Sequence, residues 1–301
     1  MSKPKHLLSP LRYPGSKRRL VGYIEDALKL NSLRPNVYAE PFVGGASVAL
    51  HLLQCNQVER VVLMDVDPWI TSFWETVFFD SEWLIQQIYE IDITLDKWKY
   101  FKSLTPKSRR DMALTCFFLN RTSFSGILEP HVGPLGGRNQ DSIYKIDCRF
   151  PRETLAGRIQ AIAVYRDFVA GIWNCSWKDG IAEIEKQRES RNFSNIFYYL
   201  DPPFFEKADT LYRHYFTEDD HIQLRDTLLT LPEKWILSYD SAQQVELLYG
   251  DAIQANTNGT QKHDIELFYS LSVMQERVKG KEVILSNLEK LPDLDKLPGK
   301  K

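Results

Sequence analysis

The chain has 301 residues, of which 43% are hydrophobic and 26% charged, a composition typical of folded globular proteins rather than disordered ones. Lys and Arg total 38 and Asp and Glu total 40, so the formal net charge of −2 excludes a uniformly basic, histone-like nucleic-acid binder.

The first predicted elements form a strand–turn–helix–strand unit. The apolar run Val37–Glu40 predicts a strand that ends at Pro41, and the glycine pair at positions 44 and 45 leads into a helix over residues 46–56. A run rich in β-branched residues over residues 60–65 predicts the next strand. This order is the beginning of a βαβ unit and predicts a parallel sheet.

The middle of the chain is predicted to be mostly helical. Helical periodicity extends over residues 68–121, a Gly- and Pro-rich stretch at residues 125–138 predicts an ordered loop, and residues 153–165 predict another helix. Three later strands are predicted over residues 195–200, 235–239 and 265–271. A helix over residues 218–231 precedes the second of them, with Thr217 as its N-cap.

This alternation predicts an α/β protein whose sheet is interrupted by an insertion. We expect a sheet domain formed by residues 1–70 and 170–285, a helical insertion over residues 71–169, and a flexible tail over residues 286–301.

The charge is unevenly distributed. Residues 1–35 carry eight Lys or Arg against two acids, residues 39–95 carry nine acids against one Arg, and residues 97–110 carry six Lys or Arg and no acid. Together with Arg149, Arg152 and Arg158, the basic blocks indicate a face that contacts phosphates, although each block alone also fits a solvated helix surface.

The cysteines and the first residues indicate an intracellular protein. Four scattered cysteines without a CxxC pair predict reduced thiols in the cytoplasm and no metal site. The N-terminal residues contain no apolar run of signal-peptide length, and no segment of the chain predicts a membrane span.

Two strand ends predict a nucleoside site. The glycine turn after Glu40 lacks the Gly-x-Gly-x-x-Gly fingerprint, which argues against a dehydrogenase. A turn without that phosphate-binding pattern suits an uncharged or cationic nucleoside, and Asp65, at the end of the next strand, can accept hydrogen bonds from both ribose hydroxyls.

A third strand end carries the sequence Asp-Pro-Pro-Phe at residues 201–204. The two prolines end the strand and remove two backbone donors, so Asp201 and the neighbouring carbonyl groups remain as acceptors. Acceptors beside the aromatic ring of Phe204 suit an exocyclic amine on a planar base.

Four stretches, in this order, resemble the DNA adenine-N6 methyltransferases of the alpha arrangement, the DNA adenine methylase type of restriction-modification and phage systems. They are Arg12-Tyr13-Pro14-Gly15-Ser16-Lys17, Glu40-Pro41-Phe42-Val43-Gly44-Gly45 with Asp65, Asn120-Arg121-Thr122-Ser123-Phe124-Ser125-Gly126 with Gly133-Pro134-Leu135-Gly136-Gly137, and Asp201-Pro202-Pro203-Phe204. The resemblance spans roughly residues 10–270 and implies a Rossmann-like S-adenosylmethionine-dependent methyltransferase fold with a mostly helical target-recognition insertion.

The resemblance also implies the roles of individual residues. The catalytic residues are expected to be Asp201, Pro202, Pro203 and Phe204. The residues expected to bind S-adenosylmethionine are Tyr13, Gly15, Lys17, Glu40, Pro41, Phe42, Gly44, Gly45, Asp65, Asp179 and Asp201. The residues expected to contact DNA are Arg18, Arg19, Lys107, Arg109, Arg110, Arg121, Ser123, Phe124, Arg138 and Asn139.

The implied reaction is methylation of the N6 amine of an adenine that is extruded from duplex DNA into the site. The family most often has Tyr where this chain has Phe204, so methylation of cytosine N4 stays open as an alternative. A non-catalytic, S-adenosylmethionine-gated DNA-binding module and an RNA substrate also stay open. The protein is expected to be a monomer, and a cognate restriction endonuclease that acts separately on the same site is a further candidate partner.

Overall fold

The computed structural model describes residues 7–12, 15, 17–205, 213–240, 243–270 and 277–293. The strands are β1 (Val37–Glu40), β2 (Val61–Asp65), β3 (Val169–Asn174), β4 (Ile196–Leu200), β5 (Lys234–Asp240), β6 (Gln261–Ser270) and β7 (Arg277–Ser286). The α-helices are α1 (Val21–Leu30), α2 (Ser47–Gln54), α3 (Pro68–Phe79), α4 (Ser81–Glu90), α5 (Leu95–Ser103), α6 (Arg109–Thr122), α7 (Arg152–Ala163), α8 (Trp177–Gln187), α9 (Glu218–Thr230) and α10 (Gln243–Gln254). Short 3₁₀ turns lie at Lys17–Arg19, Phe124–Gly126, Arg166–Phe168 and Thr257–Gly259.

The strands form one sheet in the order β3-β2-β1-β4-β5-β7-β6. The first five strands in this order are parallel, and β7 is antiparallel to β5 and β6. The chain reverses its direction of progress across the sheet between β1 and β4. In open α/β sheets, ligands bind at such a switch point, outside the carboxyl ends of the strands. The topology confirms the predicted Rossmann-like methyltransferase fold.

The predicted strands and the cap of the long late helix are confirmed. Strand β1 has the predicted bounds, and β6 covers most of the predicted final strand, whose last residue, Leu271, lies outside the described residues. Thr217 caps α9, since its hydroxyl accepts from the backbone amide of Asp220 while the Asp220 carboxylate accepts from the Thr217 amide. Strands β3 and β7 were not predicted.

The helical insertion packs directly on the sheet. Helix α3 begins at Pro68, so the predicted boundary at residue 70 lies inside this helix. Its Phe73 ring stacks on Phe117 of α6 at 5.8 Å between centroids, and both rings lie in the core that also contains Val61 and Leu63 of β2. A continuous apolar core therefore joins the insertion to the sheet. The predicted division into a sheet domain and a helical insertion stays a prediction.

The segment predicted to be a flexible tail from residue 286 is held to the sheet as far as residue 293. Asn287 accepts from the Trp235 amide at 2.9 Å and donates to the Glu233 carbonyl at 2.8 Å, while the Lys290 amide donates to the Asn31 side chain. The prediction is wrong for these residues because Ser286 still belongs to β7 and Asn287 replaces ladder hydrogen bonds at the end of β5. Residues 294–301 lie outside the described residues.

No helix among the described residues is both long and apolar enough to cross a membrane.

Candidate active site

A cavity of about 460 Å³ lies at the carboxyl ends of β1, β2 and β4, a size in the range of small-molecule sites. Its polar lining includes Lys17, Glu40, Asp65, Asp67, Ser176, Asp201, Arg213 and Asp220, and its apolar lining includes Phe42, Ile70, Ile127, Leu128, Trp177, Tyr215 and Phe216. The strand ends that the sequence analysis selected therefore meet in one site.

The glycine turn after β1 is fixed by contacts on both sides. The Gly44 amide donates to Asp65 Oδ2 at 3.0 Å, and the Gly44 carbonyl accepts from the Trp74 indole at 2.8 Å. Gly44 has a φ of 39°, in the left-handed region that glycine adopts without steric cost. Asp65 therefore positions the turn, and Trp74, which the sequence analysis treated only as core, supports it from the insertion.

Two buried carboxylates line the cavity. Glu40 is 3% exposed, and its Oε2 accepts from the Tyr38 hydroxyl at 3.0 Å and from the Ala49 amide at 3.2 Å. Burial raises the pKa of Glu40 to about 8, and burial together with the charge of Asp67 raises the pKa of Asp65 to about 7. A ligand that is cationic or donates hydrogen bonds would stabilise the ionised forms of both acids.

Glu40→Gln is expected to stabilise the unliganded protein at alkaline pH. Because the pKa of Glu40 is raised in the folded state, its neutral form is favoured by folding, and that contribution decreases as pH rises towards the folded-state pKa. Relative to wild type, the variant should gain roughly 2–3 kcal/mol in the free energy of unfolding between pH 6 and pH 8.5. Urea denaturation at both pH values measures this gain. Glu189→Gln is the control, because Glu189 is exposed, and its free energy of unfolding should follow that of wild type at both pH values. If the difference in the free energy of unfolding between Glu40→Gln and wild type does not change with pH, the raised pKa of Glu40 is refuted.

Asp201 is held through one of its two carboxylate oxygens. Its Oδ1 accepts from the Ser238 hydroxyl at 2.9 Å and lies 2.8 Å from Lys17 Nζ. Ser238 is in turn 2.9 Å from the Tyr199 hydroxyl, inside the sheet. Among the described residues Oδ2 has no hydrogen-bond partner, so the side chain is oriented while one oxygen remains available as an acceptor.

Lys17 joins several parts of the site although it is 4% exposed. In addition to Asp201, Nζ donates to the Gly15 carbonyl at 3.1 Å, lies 3.8 Å from Glu282 Oε2, and stands 5.2 Å from the centroid of the Phe204 ring. From the sequence, Lys17 is expected to bind the cofactor. The structure places it in the cavity lining and also on the Asp-Pro-Pro-Phe motif.

The segment after the Asp-Pro-Pro-Phe motif contributes residues that the sequence analysis missed. Arg213 pairs with Asp67 at 2.9 Å, and its guanidinium carbon lies 3.8 Å from the centroid of the Trp69 ring. Phe216 packs edge-on against Phe42 at 5.5 Å between centroids. These contacts hold residues 213–216 over the cavity, and the only signal in the sequence was their position shortly after the motif.

A buried histidine supports the same segment from below. His221 is 2% exposed, its Nδ1 lies 2.7 Å from the Tyr239 hydroxyl, and its ring stacks on Phe205 at 3.8 Å between centroids. Burial lowers the pKa of His221 to about 4, so the imidazole is neutral at physiological pH. The residue is a core histidine with a structural role.

The predicted cofactor-binding residues mostly line the cavity. Those in the lining are Lys17, Glu40, Pro41, Phe42, Gly44, Gly45, Asp65 and Asp201. Tyr13 lies outside the described residues. Asp179 is exposed, pairs with the helix-capping Ser176 at 2.7 Å and is not in the lining, whereas Ser176 and Trp177 are. Of the motif, Asp201 and Pro203 line the cavity, Pro202 is buried, and Phe204 lies beneath Lys17.

Several of the predicted DNA-binding residues have internal partners. Arg121 is 6% exposed, and its Nε donates to the Arg149 carbonyl at 2.6 Å, so its side chain cannot reach a surface phosphate directly. Ser123 is buried and accepts from the Trp98 indole. Arg109 and Arg110 are exposed but both pair with Asp80. We therefore no longer assign Arg121 and Ser123 to direct DNA contacts.

The remaining predicted DNA-binding residues lie on the surface. Arg18, Arg19, Lys107, Arg138 and Asn139 are exposed, and the Phe124 side chain is 62% exposed. Gln140 holds the loop that carries Arg138 and Asn139, since its amide donates to the Leu135 and Gly137 carbonyls and its Oε1 accepts from the Ile146 amide. The loop is thus ordered, as predicted.

One group of potential metal ligands occurs among the described residues. The ligand atoms of Glu25, His51 and Cys55 all lie within 4.8 Å of one another. Glu25 already pairs with Lys29, and its Oε2 accepts a hydrogen bond from His51 Nε2 at 2.6 Å. These contacts give the group a structural role that joins α1 to α2.

Comparison with known proteins shows which proteins the chain is similar to. Residues 13–131 match the model of a family described as D12 class N6 adenine-specific DNA methyltransferase. The chain is 27% identical over 133 residues to the Type II methyltransferase M.MjaIII of Methanocaldococcus jannaschii, and this match covers 39% of the chain and 46% of the relative. It is 24% identical over 223 residues to the Type II methyltransferase M.CviBI of Paramecium bursaria Chlorella virus NC1A, and this match covers 71% of the chain and 76% of the relative.

These matches confirm the predicted resemblance to the DNA adenine-N6 methyltransferase family. The chain spans less than half the length of M.MjaIII. Among solved structures, a match to precorrin 8W decarboxylase of Methanobacterium thermoautotrophicum covers 91% of each chain at 10% identity, with a TM-score of 0.36.

Proposed function

We propose that this protein is a site-specific DNA methyltransferase that transfers a methyl group from S-adenosylmethionine to the N6 amine of an adenine extruded from duplex DNA. The observation that supports this proposal most strongly is the shared cavity. Asp201, at the end of β4, and Gly44 with Asp65, at the ends of β1 and β2, line the same space.

The chemistry of the cavity lining supports S-adenosylmethionine as the methyl donor. Its buried acids Glu40 and Asp65 favour a cationic ligand with hydroxyl donors, and the rings of Phe42 and Trp177 provide apolar walls. We assign the ribose hydroxyls to Asp65. When bound, S-adenosylmethionine supplies a methyl group bonded to a cationic sulfur.

The motif residues would activate the target amine by accepting hydrogen bonds. The N6 lone pair is delocalised into the adenine ring, which makes the amine a weak nucleophile. Asp201 Oδ2 and the Pro202 carbonyl would accept hydrogen bonds from the two N–H groups of the amine. These hydrogen bonds favour a localised lone pair and stabilise the positive charge that develops on N6. Lys17 and Ser238, which hold Oδ1, keep the acceptor in place.

As N6 takes up the methyl group and becomes cationic, the electron pair of the donor's carbon–sulfur bond would stay on the donor's sulfur. One N6 proton then leaves through Asp201 to water, which restores a neutral amine. The Phe204 ring would stack on the extruded base and replace the stacking lost from the duplex, a contact worth about 1–3 kcal/mol.

The exposed basic residues and the ordered loop would bind the duplex. We assign phosphate contacts to Arg18, Arg19 and Lys107, and base or groove contacts to Phe124, Arg138 and Asn139. The monomeric state and a separately acting cognate endonuclease stay predictions.

Nucleoside analysis tests the proposed reaction. DNA from a host that lacks adenine and cytosine amino methylation, expressing the protein, is digested and analysed by mass spectrometry, with an Asp201→Asn host as the control. We expect N6-methyladenine in wild-type DNA only. N4-methylcytosine instead would establish the cytosine alternative, and no modified nucleoside together with retained DNA binding would establish the non-catalytic module.

A further inference from the structure

Five arginines gather beside the cavity from distant parts of the chain. They are Arg12, Arg18, Arg121, Arg149 and Arg158, and we call them the arginine cluster. Backbone carbonyls position two of them: Arg121 donates to the carbonyls of Arg149 at 2.6 Å and Pro10 at 3.4 Å, and Arg158 donates to the Ser9 carbonyl at 3.2 Å. The cluster is thus built into the fold.

The positive charges of the cluster are not balanced by acids. None of the five arginines forms an ion pair with a carboxylate in the part of the chain that the structure describes, whereas Arg110 pairs with Asp80 and Arg213 with Asp67. Burial, together with the charges of its arginine neighbours, lowers the pKa of Arg121 to about 9. Repulsion among these groups raises the free energy of the cluster, and a bound anion would lower it.

The cluster lies next to the cavity. Asn120 donates to the carbonyls of Arg12 and Gly126, both at 2.8 Å, and Gly126 is itself part of the cavity lining. The backbone segments that carry Arg12 and Gly126 approach so closely that a Cβ on Gly126 would lie 2.2 Å from the Arg12 carbonyl oxygen. The arginine cluster is therefore tied to the side of the cavity that faces the insertion.

We propose that the arginine cluster binds the DNA phosphates that flank the extruded nucleotide. The inference rests on the proposed function, which supplies the DNA. A nucleotide whose base enters the cavity keeps its two backbone phosphates at the cavity entrance, where a fixed group of guanidiniums can neutralise them. Arg18 and Arg149 are exposed, Arg12 and Arg158 are half-buried, and Arg121 lies beneath them. The exposed members would contact the phosphates, and Arg121 would position the Arg149 backbone.

The salt dependence of DNA binding tests this site. The probe is a fluorescently labelled 20-base-pair duplex, and its affinity is measured by anisotropy between 50 and 300 mM KCl for wild type and for the Arg149→Gln/Arg158→Gln double variant. Each lost phosphate contact should reduce the slope of log K against log salt by about 0.9 and the affinity at 0.1 M salt roughly 10-fold. Arg166→Gln is the matched control, since Arg166 is exposed and lies beside Asp167; it should keep the wild-type slope.

A wild-type slope for the double variant, with circular dichroism showing that it is folded, would overturn the proposal. Tighter binding of a structured RNA of the same length by wild type, with the same loss in the double variant, would overturn the choice of DNA as the partner.

Methylation assays separate this inference from the proposed function. In the double variant, KM for DNA should rise more than kcat falls. If wild type methylates DNA and the variant retains the wild-type slope and KM, the inference fails and the function stands. If wild type methylates no DNA but the double variant still has a smaller slope of log K against log salt than wild type, the proposed function is wrong and the phosphate site stands.

Discussion

Asp201→Asn is expected to lower the rate of methyl transfer by about 10²–10³-fold, the usual effect of removing one group that stabilises transition-state charge. The asparagine keeps the volume of the side chain, but it replaces one acceptor oxygen with an N–H donor. If its oxygen keeps the contacts of Oδ1 with Ser238 and Lys17, the new donor faces the target amine, which is also a donor.

Single-turnover transfer of tritiated methyl groups to DNA measures this effect, and binding of a non-transferring analogue such as sinefungin shows whether the cofactor site is intact. Asp219→Asn is the matched control because Asp219 is exposed and lies outside the cavity lining. Wild-type transfer by Asp201→Asn would remove the acceptor mechanism.

Lys17→Met is expected to lower both stability and methyl transfer. Lys17 lies 2.8 Å from Asp201 and 3.8 Å from Glu282, which is 4% exposed. Loss of the Lys17 cation leaves the carboxylates of Asp201 and Glu282 near each other without a positive charge between them. Removal of one member of a buried ion pair costs 3–5 kcal/mol, and we expect about 3 kcal/mol here because Asp201 is partly exposed.

The double variant Lys17→Met/Glu282→Gln separates the two effects. It removes the buried charge that Lys17 had balanced, so it should recover most of the lost free energy of unfolding, measured in urea. Methyl transfer should stay impaired, because Asp201 still lacks the contact that orients it. Recovery of transfer along with stability would show that Lys17 acts only on stability.

The local parts of the site could be predicted because each is encoded in a short segment. Strand β1 is a short apolar run ended by a proline and followed by two glycines, and Asp65 ends a run of β-branched and aliphatic residues. In a parallel sheet such strand ends lie at one edge, which is why Asp65 and Asp201 meet in the cavity. The capping box at Thr217 is also a local signal.

The missed parts depend on contacts between distant segments. Ser238 lies between the buried residues Leu237 and Tyr239 of β5, and its contact with Asp201 follows only from the parallel pairing of β4 and β5. Arg121 is expected to contact DNA because it lies in the stretch that resembles the target-recognition insertion, yet helix α6 turns its side chain inward onto the Arg149 carbonyl. Strand β3 was missed because Gly171 weakens its β pattern and its side chains are only half-buried or exposed.

The buried acids of the cavity give the proposed cofactor site a definite electrostatic preference. Without ligand, Glu40 is mostly protonated and Asp65 about half protonated near pH 7, so a cationic ligand would bind most tightly where both are ionised, above about pH 8. The same acids would favour the sulfonium reactant over the uncharged thioether product, which promotes product release after transfer.

A crystal structure of the protein with sinefungin bound is the most direct test of the central claim, that one cavity places the methyl donor beside Asp201. The account predicts the ribose of the analogue within hydrogen-bond distance of Asp65, its body along Gly44 and Phe42, and its amine-bearing carbon directed towards Asp201. An analogue bound outside the cavity, or one whose reactive end points away from Asp201, would contradict the account.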